Sequence, residues 1–269
     1  MKKAAKKILA SSLEILGYSV TEEKVIPKTS FFLEKYQLAL KEMEGLYAEK
    51  FQFNLPERAN RVDLLSDLLG TNPSEAYYIL FHLNKALSLA GDICEFGIAQ
   101  GSTSTLMANE IRETNKNIWL FDSFQGLPMP TEKDLLKDDI FNLGNMNAYA
   151  GTMACGLDQV TDRLNKITFP FNRVKIIPGF IEKTIKLGNL PDKVCFAYVD
   201  FDFYEPIKVA LYFLDRVLDK GGFIVVDDYD WFSTGAKTAV DEFVNETQNR
   251  YILHVPDKHY GHFCVLTKK

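Results

Sequence analysis

The sequence predicts an α/β fold: a mostly parallel, doubly wound sheet of seven strands ending in an antiparallel hairpin, preceded by a helical extension. Three observations predict it. From Asp92 onward, short β-like runs alternate with helical segments. Those runs are continuously apolar, as strands covered on both faces are. The last two runs are joined by a short polar loop with no room for a helix, which makes them antiparallel neighbours.

The elements follow in chain order. Phe31–Tyr47 recurs apolar at three- and four-residue steps, as do Val62–Leu68 and Tyr77–Leu89, so the first ninety residues read mostly as helix. Asn72-Pro73-Ser74-Glu75 supplies a turn and a helix start. The strands are expected at Ile93–Gly97, Ile118–Phe121, Val174–Ile177, Val194–Val199 and Phe223–Val226. The helices between them include Ser104–Arg112, Glu182–Leu187 and Pro206–Leu218. Tyr251–Val255 and Phe263–Leu266 form the hairpin around Pro256–His262. Pro128–Asp162 is long and irregular, with Gly144, Gly151 and Gly156 among many Asn and Asp residues. A stretch of that kind inside a compact domain is usually a lid or a binding loop. The expected organisation is therefore a helical extension over 1–90 and an α/β domain over 91–269 with a lid-like insertion at 128–162.

Composition narrows the function classes. Hydrophobic residues make up 46% and charged residues 25%, an ordinary globular balance. The net charge of −5 offers no basic surface for nucleic acid. Cys94, Cys155, Cys195 and Cys264 are scattered without a CxxC pair, which argues against a zinc knuckle or redox dithiol and fits a reducing cytoplasm. Lys2, Lys3, Lys6 and Lys7 ahead of Ile8–Leu16 resemble the start of a signal peptide. Glu14 interrupts the apolar run, so an amphipathic helix with a basic face is expected instead. No apolar run is long enough to span a bilayer.

The chemistry concentrates at strand ends. Glu95-Phe96-Gly97-Ile98-Ala99-Gln100-Gly101-Ser102-Thr103 follows the first strand of the sheet and opens a helix. Gly97 and Gly101 allow a sharp turn and close approach of a ligand, and the helix start favours an anionic group. Glu95 is placed to receive an ammonium. Such a turn alone is weak evidence, because a tight connection also needs small residues. Asp122, followed by Ser123, ends the next strand, where carboxylates bind ribose hydroxyls, although it can also cap a helix. The spacing is E-x-G-x-x-x-G rather than the pyrophosphate fingerprint, which favours S-adenosylmethionine (SAM) over NAD.

Asp200 ends the fourth strand, and Asp227 and Asp228 end the fifth. Three acids in one crevice repel one another, and a divalent cation such as Mg²⁺ relieves that cost; solvated turn acids are the other reading. A bound cation would polarise an acceptor hydroxyl and lower its pKa, with Asp200 as ligand and candidate base. His259 and His262 flank the hairpin loop and are further candidates for the base, as is water. His82 reads as a packed helix residue, and Tyr229, Trp231 and Phe232 as candidate acceptor contacts.

Together these residues resemble the macrocin O-methyltransferase family. The matching segments are Glu95-Phe96-Gly97 with Gly101, Asp122-Ser123-Phe124-Gln125-Gly126-Leu127-Pro128, and Pro178-Gly179-Phe180. Asp200-Phe201-Asp202-Phe203-Tyr204-Glu205 and Gly221-Gly222 leading to Val226-Asp227-Asp228-Tyr229 complete the set. The resemblance implies the class I SAM-dependent methyltransferase fold. It also implies a Mg²⁺-dependent methyltransferase domain over 91–269 that acts on a sugar hydroxyl of a natural product or a surface polysaccharide precursor, often as a homodimer, with the extension over 1–90 contributing to the substrate site or the dimer. Gly179 and Phe180 then join the cofactor residues, and Asp200, Asp227 and Asp228 inherit the metal. Two positions depart. Phe201 stands where the family usually has glycine, and Phe203 stands where related catechol-type enzymes carry a lysine. The competing readings are a catechol-like or phenolic acceptor, a NAD-dependent oxidoreductase, and a non-catalytic SAM-binding module.

Overall fold

The computed structural model describes residues 18–21 and 24–269, with side chains from Phe31 onward. The basic helix expected at Ile8–Leu16 lies outside the described residues. Two compact units divide between Gln52 and Phe53.

The first unit contains a two-stranded antiparallel ribbon, β1 (Tyr18–Thr21) and β2 (Lys24–Pro27), followed by helix α1 (Lys28–Phe51). The ribbon departs from the mostly helical reading of this region. Val20, Thr21, Val25 and Ile26 are β-branched, and their stiff side chains favour extended backbone.

The second unit begins with α2 (Arg61–Ser66) and α3 (Pro73–Ala86), which belong with the sheet. Pro73 opens α3, and the Asn72 side chain accepts the Glu75 N–H at 3.0 Å, the cap expected from the sequence. The sheet then follows as β3 (Asp92–Phe96), α4 (Ser102–Glu110), β4 (Ile118–Asp122), α5 (Leu157–Lys166), β5 (Val174–Pro178) and α6 (Ile181–Thr184). It continues with β6 (Val194–Val199), α7 (Tyr204–Val217), β7 (Leu218–Val226), α8 (Gly235–Glu246), β8 (Tyr251–His254) and β9 (Cys264–Lys268). The strand order is β5-β4-β3-β6-β7-β9-β8. All neighbours are parallel except β9, which runs antiparallel to β7 and β8, as the helix-free loop requires. The order reverses between β3 and β6, and the crevice at the carboxyl ends of those strands is where open α/β sheets bind ligands.

Strands β3, β4, β6 and β7 fill the centre. Phe96 stacks on Phe121 at 4.5 Å, and Phe213 of α7 packs against both. His82 is the packed histidine expected: its Nδ1 lies 2.7 Å from the Tyr78 carbonyl, its ring meets Phe223 edge-on, and burial lowers its pKa to about 4.

The stretch Pro128–Asp162 is more ordered than expected. Helix α5 begins inside it, with Val160 and Leu164 buried one turn apart. Met146 and Tyr149 pack with Phe203 and Phe232 as a small second core. The N–H groups of Lys137 and Asp138 donate to the Phe232 carbonyl, and Lys137 pairs with Asp230 at 2.5 Å. Phe203 is therefore core, stacked on Phe232 at 5.9 Å. Among the described residues no helix is long and apolar enough to cross a membrane.

Candidate functional site

A cavity of about 500 Å³ opens at the carboxyl ends of β3, β4, β6 and β7. Its walls are built by short connections, each carrying a side chain or a glycine that the strand end positions.

The turn after β3 forms the floor. Gly97 takes φ +85°, and a Cβ there would stand 1.8 Å from the Asp200 carbonyl oxygen, so only glycine fits. Gly101 takes φ +78° at the start of α4, against Val160. Gly97, Ala99 and Gln100 face the cavity. Asp122, at the end of β4, also lines it. Asp122 Oδ2 accepts the N–H of Ile98 (2.8 Å) and Ala99 (3.3 Å), and Oδ1 accepts that of Phe124 (2.6 Å). The carboxylate thus ties the glycine turn to the second strand while facing the cavity. Ser123, Gly179 and Phe180 line the same wall.

Three cofactor candidates lie behind the wall. Glu95 is buried beneath the turn and accepts a hydrogen bond from Ser104; burial pushes its carboxyl up to about 8. Ser102 Oγ donates to the Leu69 carbonyl at 3.2 Å, and Thr103 Oγ1 lies 3.0 Å from Thr71 Oγ1. Both hydroxyls are engaged in fastening α4 to the segment ahead of α3, a use that the motif alone does not reveal.

The acidic cluster gathers at β6 and β7. Asp200 continues β6, its N–H donating to Phe96 O at 2.7 Å, and the Asp227 N–H donates to Val199 O at 2.9 Å. Asp200, Asp202 and Asp228 each offer an oxygen within 4.8 Å of the others. Asp202 and Asp228 both hold left-handed backbone, φ 60° and 55°, a strain that concentrates at functional sites. Burial, then Asp227 and Asp202 beside it, holds Asp200 well above the carboxylate range; burial and the same neighbours do so for Asp228. Burial raises Asp202 to about 6. A set of hard oxygen donors, buried and mutually repelling, fits a divalent cation such as Mg²⁺.

The membership of this cluster differs from the expected set. Asp202 stands in it, whereas Asp227, on the same cavity wall, turns toward other partners. Asp227 Oδ2 accepts from the Tyr198 hydroxyl at 2.9 Å, and Oδ1 accepts the Asp228 N–H at 2.8 Å. The Tyr198 hydroxyl also lies 3.3 Å from Glu75 Oε1 and 3.5 Å from Asp200 Oδ2. Glu75, buried in the first turn of α3, is thus a further acid beside the cluster, and burial followed by Asp227 raises its pKa well above the usual range. Sequence reasoning read Glu75 only as part of a helix start. No local signal marks it, because its partner Tyr198 lies 123 residues further along the chain.

The remaining wall is apolar. Leu127, Ile140, Phe141, Met153, Phe201 and Trp231 line it, so Phe201 at the family's usual glycine position is a pocket residue, packed edge-on against Phe96 at 6.0 Å. All four cysteines are free; Cys155 lines the cavity and the other three are buried.

The family model described as Macrocin-O-methyltransferase (TylF) matches residues 83–263. An 8-demethyl-8-(2,3-dimethoxy-alpha-L-rhamnosyl)-tetracenomycin-C 4'-O-methyltransferase of Streptomyces olivaceus is 28% identical over 169 residues, 62% of this chain and 61% of that protein. The demethyldecarbamoylnovobiocin O-methyltransferase of Streptomyces niveus is 27% identical over 161 residues, 58% of this chain and 59% of that protein. The chain thus spans about six-tenths of the length of these curated relatives. Among solved structures, the O-methyltransferase NovP superposes with a TM-score of 0.63 at 21% identity, over 74% of this chain and 81% of that one. A calicheamicin methyltransferase superposes with 0.58 at 18% identity, over 87% and 91%. These structural likenesses concern the fold.

Proposed function

The chain belongs to the macrocin O-methyltransferase family, and on that premise we propose that it transfers the methyl group of SAM to a hydroxyl of a sugar carried on a small molecule, with a divalent cation as helper. One observation carries the reading: a single cavity joins the glycine turn and Asp122 to the acidic ends of β6 and β7. A donor site and a cation site that share a wall are what methyl transfer to an oxygen needs.

The residues divide the work. Gly97, Ala99 and Gln100 present backbone to the methionine end of SAM, and Asp122 receives its ribose hydroxyls. Glu95, behind the turn, supplies negative charge once an ammonium approaches. Gly179 and Phe180 close the wall beside the cofactor. Asp200, Asp202 and Asp228 would hold the cation, with Asp227 alongside; when bound, the cation polarises an acceptor hydroxyl and lowers its pKa. Asp200 accepts the hydroxyl proton. The apolar wall and the strand-end acids hold the acceptor in line, and positioning supplies much of the rate.

Charge narrows the acceptor class. Six acids line the cavity, Asp122, Glu182, Asp200, Asp202, Asp227 and Asp228, and among the described residues no lysine or arginine does. A neutral sugar suits that wall better than a nucleotide diphosphate sugar, whose phosphates call for cationic partners. The name of the Streptomyces olivaceus relative, which specifies a rhamnosyl compound as its acceptor, supports the same class. The family resemblance further supports a homodimer, the scattered cysteines fit a cytoplasmic location, and Leu69 and Gly70, just ahead of α3, contribute to the cavity wall.

The test is an acceptor panel with SAM and Mg²⁺: a phenyl rhamnoside, a catechol and a nucleotide diphosphate rhamnose, each with and without chelator. The expected product is a chelator-sensitive methyl ether on the rhamnoside. Methylation of the catechol alone would replace this reading with the phenolic one.

A further inference from the structure

Trp231 lines the cavity together with Asp227 and Asp228, just past the end of β7. Its indole is held at two places. The Nε1–H donates to Asp138 at 2.9 Å, and the His262 imidazole stacks on the ring at 5.6 Å and 17°. His262 is exposed, yet both of its chain neighbours are anchored. Gly261 takes φ 130°, and a Cβ there would stand 2.6 Å from Asn72 Nδ2, the residue that caps α3. Phe263 is buried and meets Tyr78 edge-on at 4.9 Å. The loop before them carries a helical turn, Lys258–Tyr260, capped by Asp257. These constraints deliver the imidazole to the indole. His259 behaves differently: its side chain is 82% exposed and lies 3.7 Å from Asp257.

A sugar offers an aromatic ring its C–H face, and a ring already held in place loses little freedom when it takes that contact. An indole fixed only at its nitrogen edge by Asp138 could still swing about that edge; a second ring stacked on it removes that freedom. We propose that His262 is a positioning residue for the acceptor: stacked on Trp231, it holds the indole in the orientation that receives the sugar, and so sets acceptor affinity without touching the reacting atoms. This inference rests on the methyltransferase reading above. It separates His262 from a proton-transfer role, which would need the imidazole nitrogens rather than the flat ring.

The test uses the full chain loaded with S-adenosylhomocysteine (SAH), the product of SAM, titrated with phenyl α-L-rhamnoside while tryptophan emission is followed. Trp119, the other tryptophan, is buried in β4, so the response reports on Trp231. His262→Ala is expected to weaken binding about five-fold, the worth of one aromatic pair. The KM for the rhamnoside should rise by the same factor, with kcat and SAH affinity unchanged. His262→Phe, which keeps a flat ring and removes the nitrogens, should restore both. Unchanged binding in His262→Ala, or a His262→Phe variant as impaired as the alanine one, would overturn the proposal. A wild-type protein that binds SAH but neither binds nor methylates any glycoside would sink the functional reading, and this inference with it.

Discussion

Replacing Asp200 with asparagine is expected to lower turnover by at least about a thousand-fold while leaving SAH affinity close to wild type. Asp200 stands where the two halves of the cavity meet. Its carbonyl oxygen backs the glycine turn at Gly97, and its carboxylate belongs to the cluster with Asp202 and Asp228. Asparagine keeps the size and the backbone bond to Phe96, so the turn at Gly97 stays in place. What it removes is a carboxylate oxygen, which in the proposed mechanism both holds a cation and takes a proton. Steady-state methylation alongside calorimetric SAH binding separates the two effects. The cofactor-free variant should melt no lower than wild type, because the substitution removes one of several buried carboxyls that repel one another. Retention of most activity would mean that Asp200 is neither ligand nor base.

The largest stability effect is expected away from the cavity. Arg61 of α2 grips Glu110 at the end of α4 through Nε–Oε1 (2.8 Å) and Nη2–Oε2 (2.7 Å), with the pair 4% and 0% exposed. Asn84 of α3 donates to the same carboxylate at 2.9 Å, so one acid joins three helices. Forked, buried geometry of this kind is the strong form of the arginine–carboxylate contact. Arg61→Ala leaves Glu110 buried without its cation, and removing one member of a buried pair costs about 3–5 kcal/mol. For a chain of this size the melting temperature should fall by roughly 10 °C. The double replacement Arg61→Met with Glu110→Leu should recover much of that loss, since apolar residues of similar volume often substitute for a buried pair. A loss below about 1 kcal/mol in Arg61→Ala would show that the pair is better hydrated than its burial indicates.

Most of the sheet was legible because its strands are buried on both faces. Ile93–Phe96, Val194–Val199 and Phe223–Val226 read as unbroken apolar runs, and the helix-free loop between the last two strands left only an antiparallel pairing. Two helices escaped notice. Helix α5 is mostly polar, and its buried pair, Val160 and Leu164, sits in a stretch whose glycines and asparagines suggest a loop. Helix α8 buries Ala236, Ala239, Val240 and Phe243, a narrow stripe of mostly small residues beside the conspicuous acids of β7. The β1–β2 ribbon was hidden by the strong helical period that follows it.

The lining of the candidate site was legible where chemistry and strand ends coincide, as at Gly97, Asp122, Asp200 and Asp228. It was obscure where position depends on partners far along the chain. Glu75 reaches Tyr198 across 123 residues, and Ser102 and Thr103 are engaged by Leu69 and Thr71. Asp202 followed Asp200 in the motif, but only its left-handed backbone turns it into the cluster while Tyr198 draws Asp227 aside. Local spacing cannot encode that exchange.

The most direct test of the central claim is calorimetric titration of the cofactor-stripped protein with SAH, with NAD in a parallel cell. The account predicts micromolar binding of SAH, lost when Asp122 is replaced by alanine, and no binding of NAD. Binding of NAD with silence toward SAH would contradict the methyl-donor site and everything built on it.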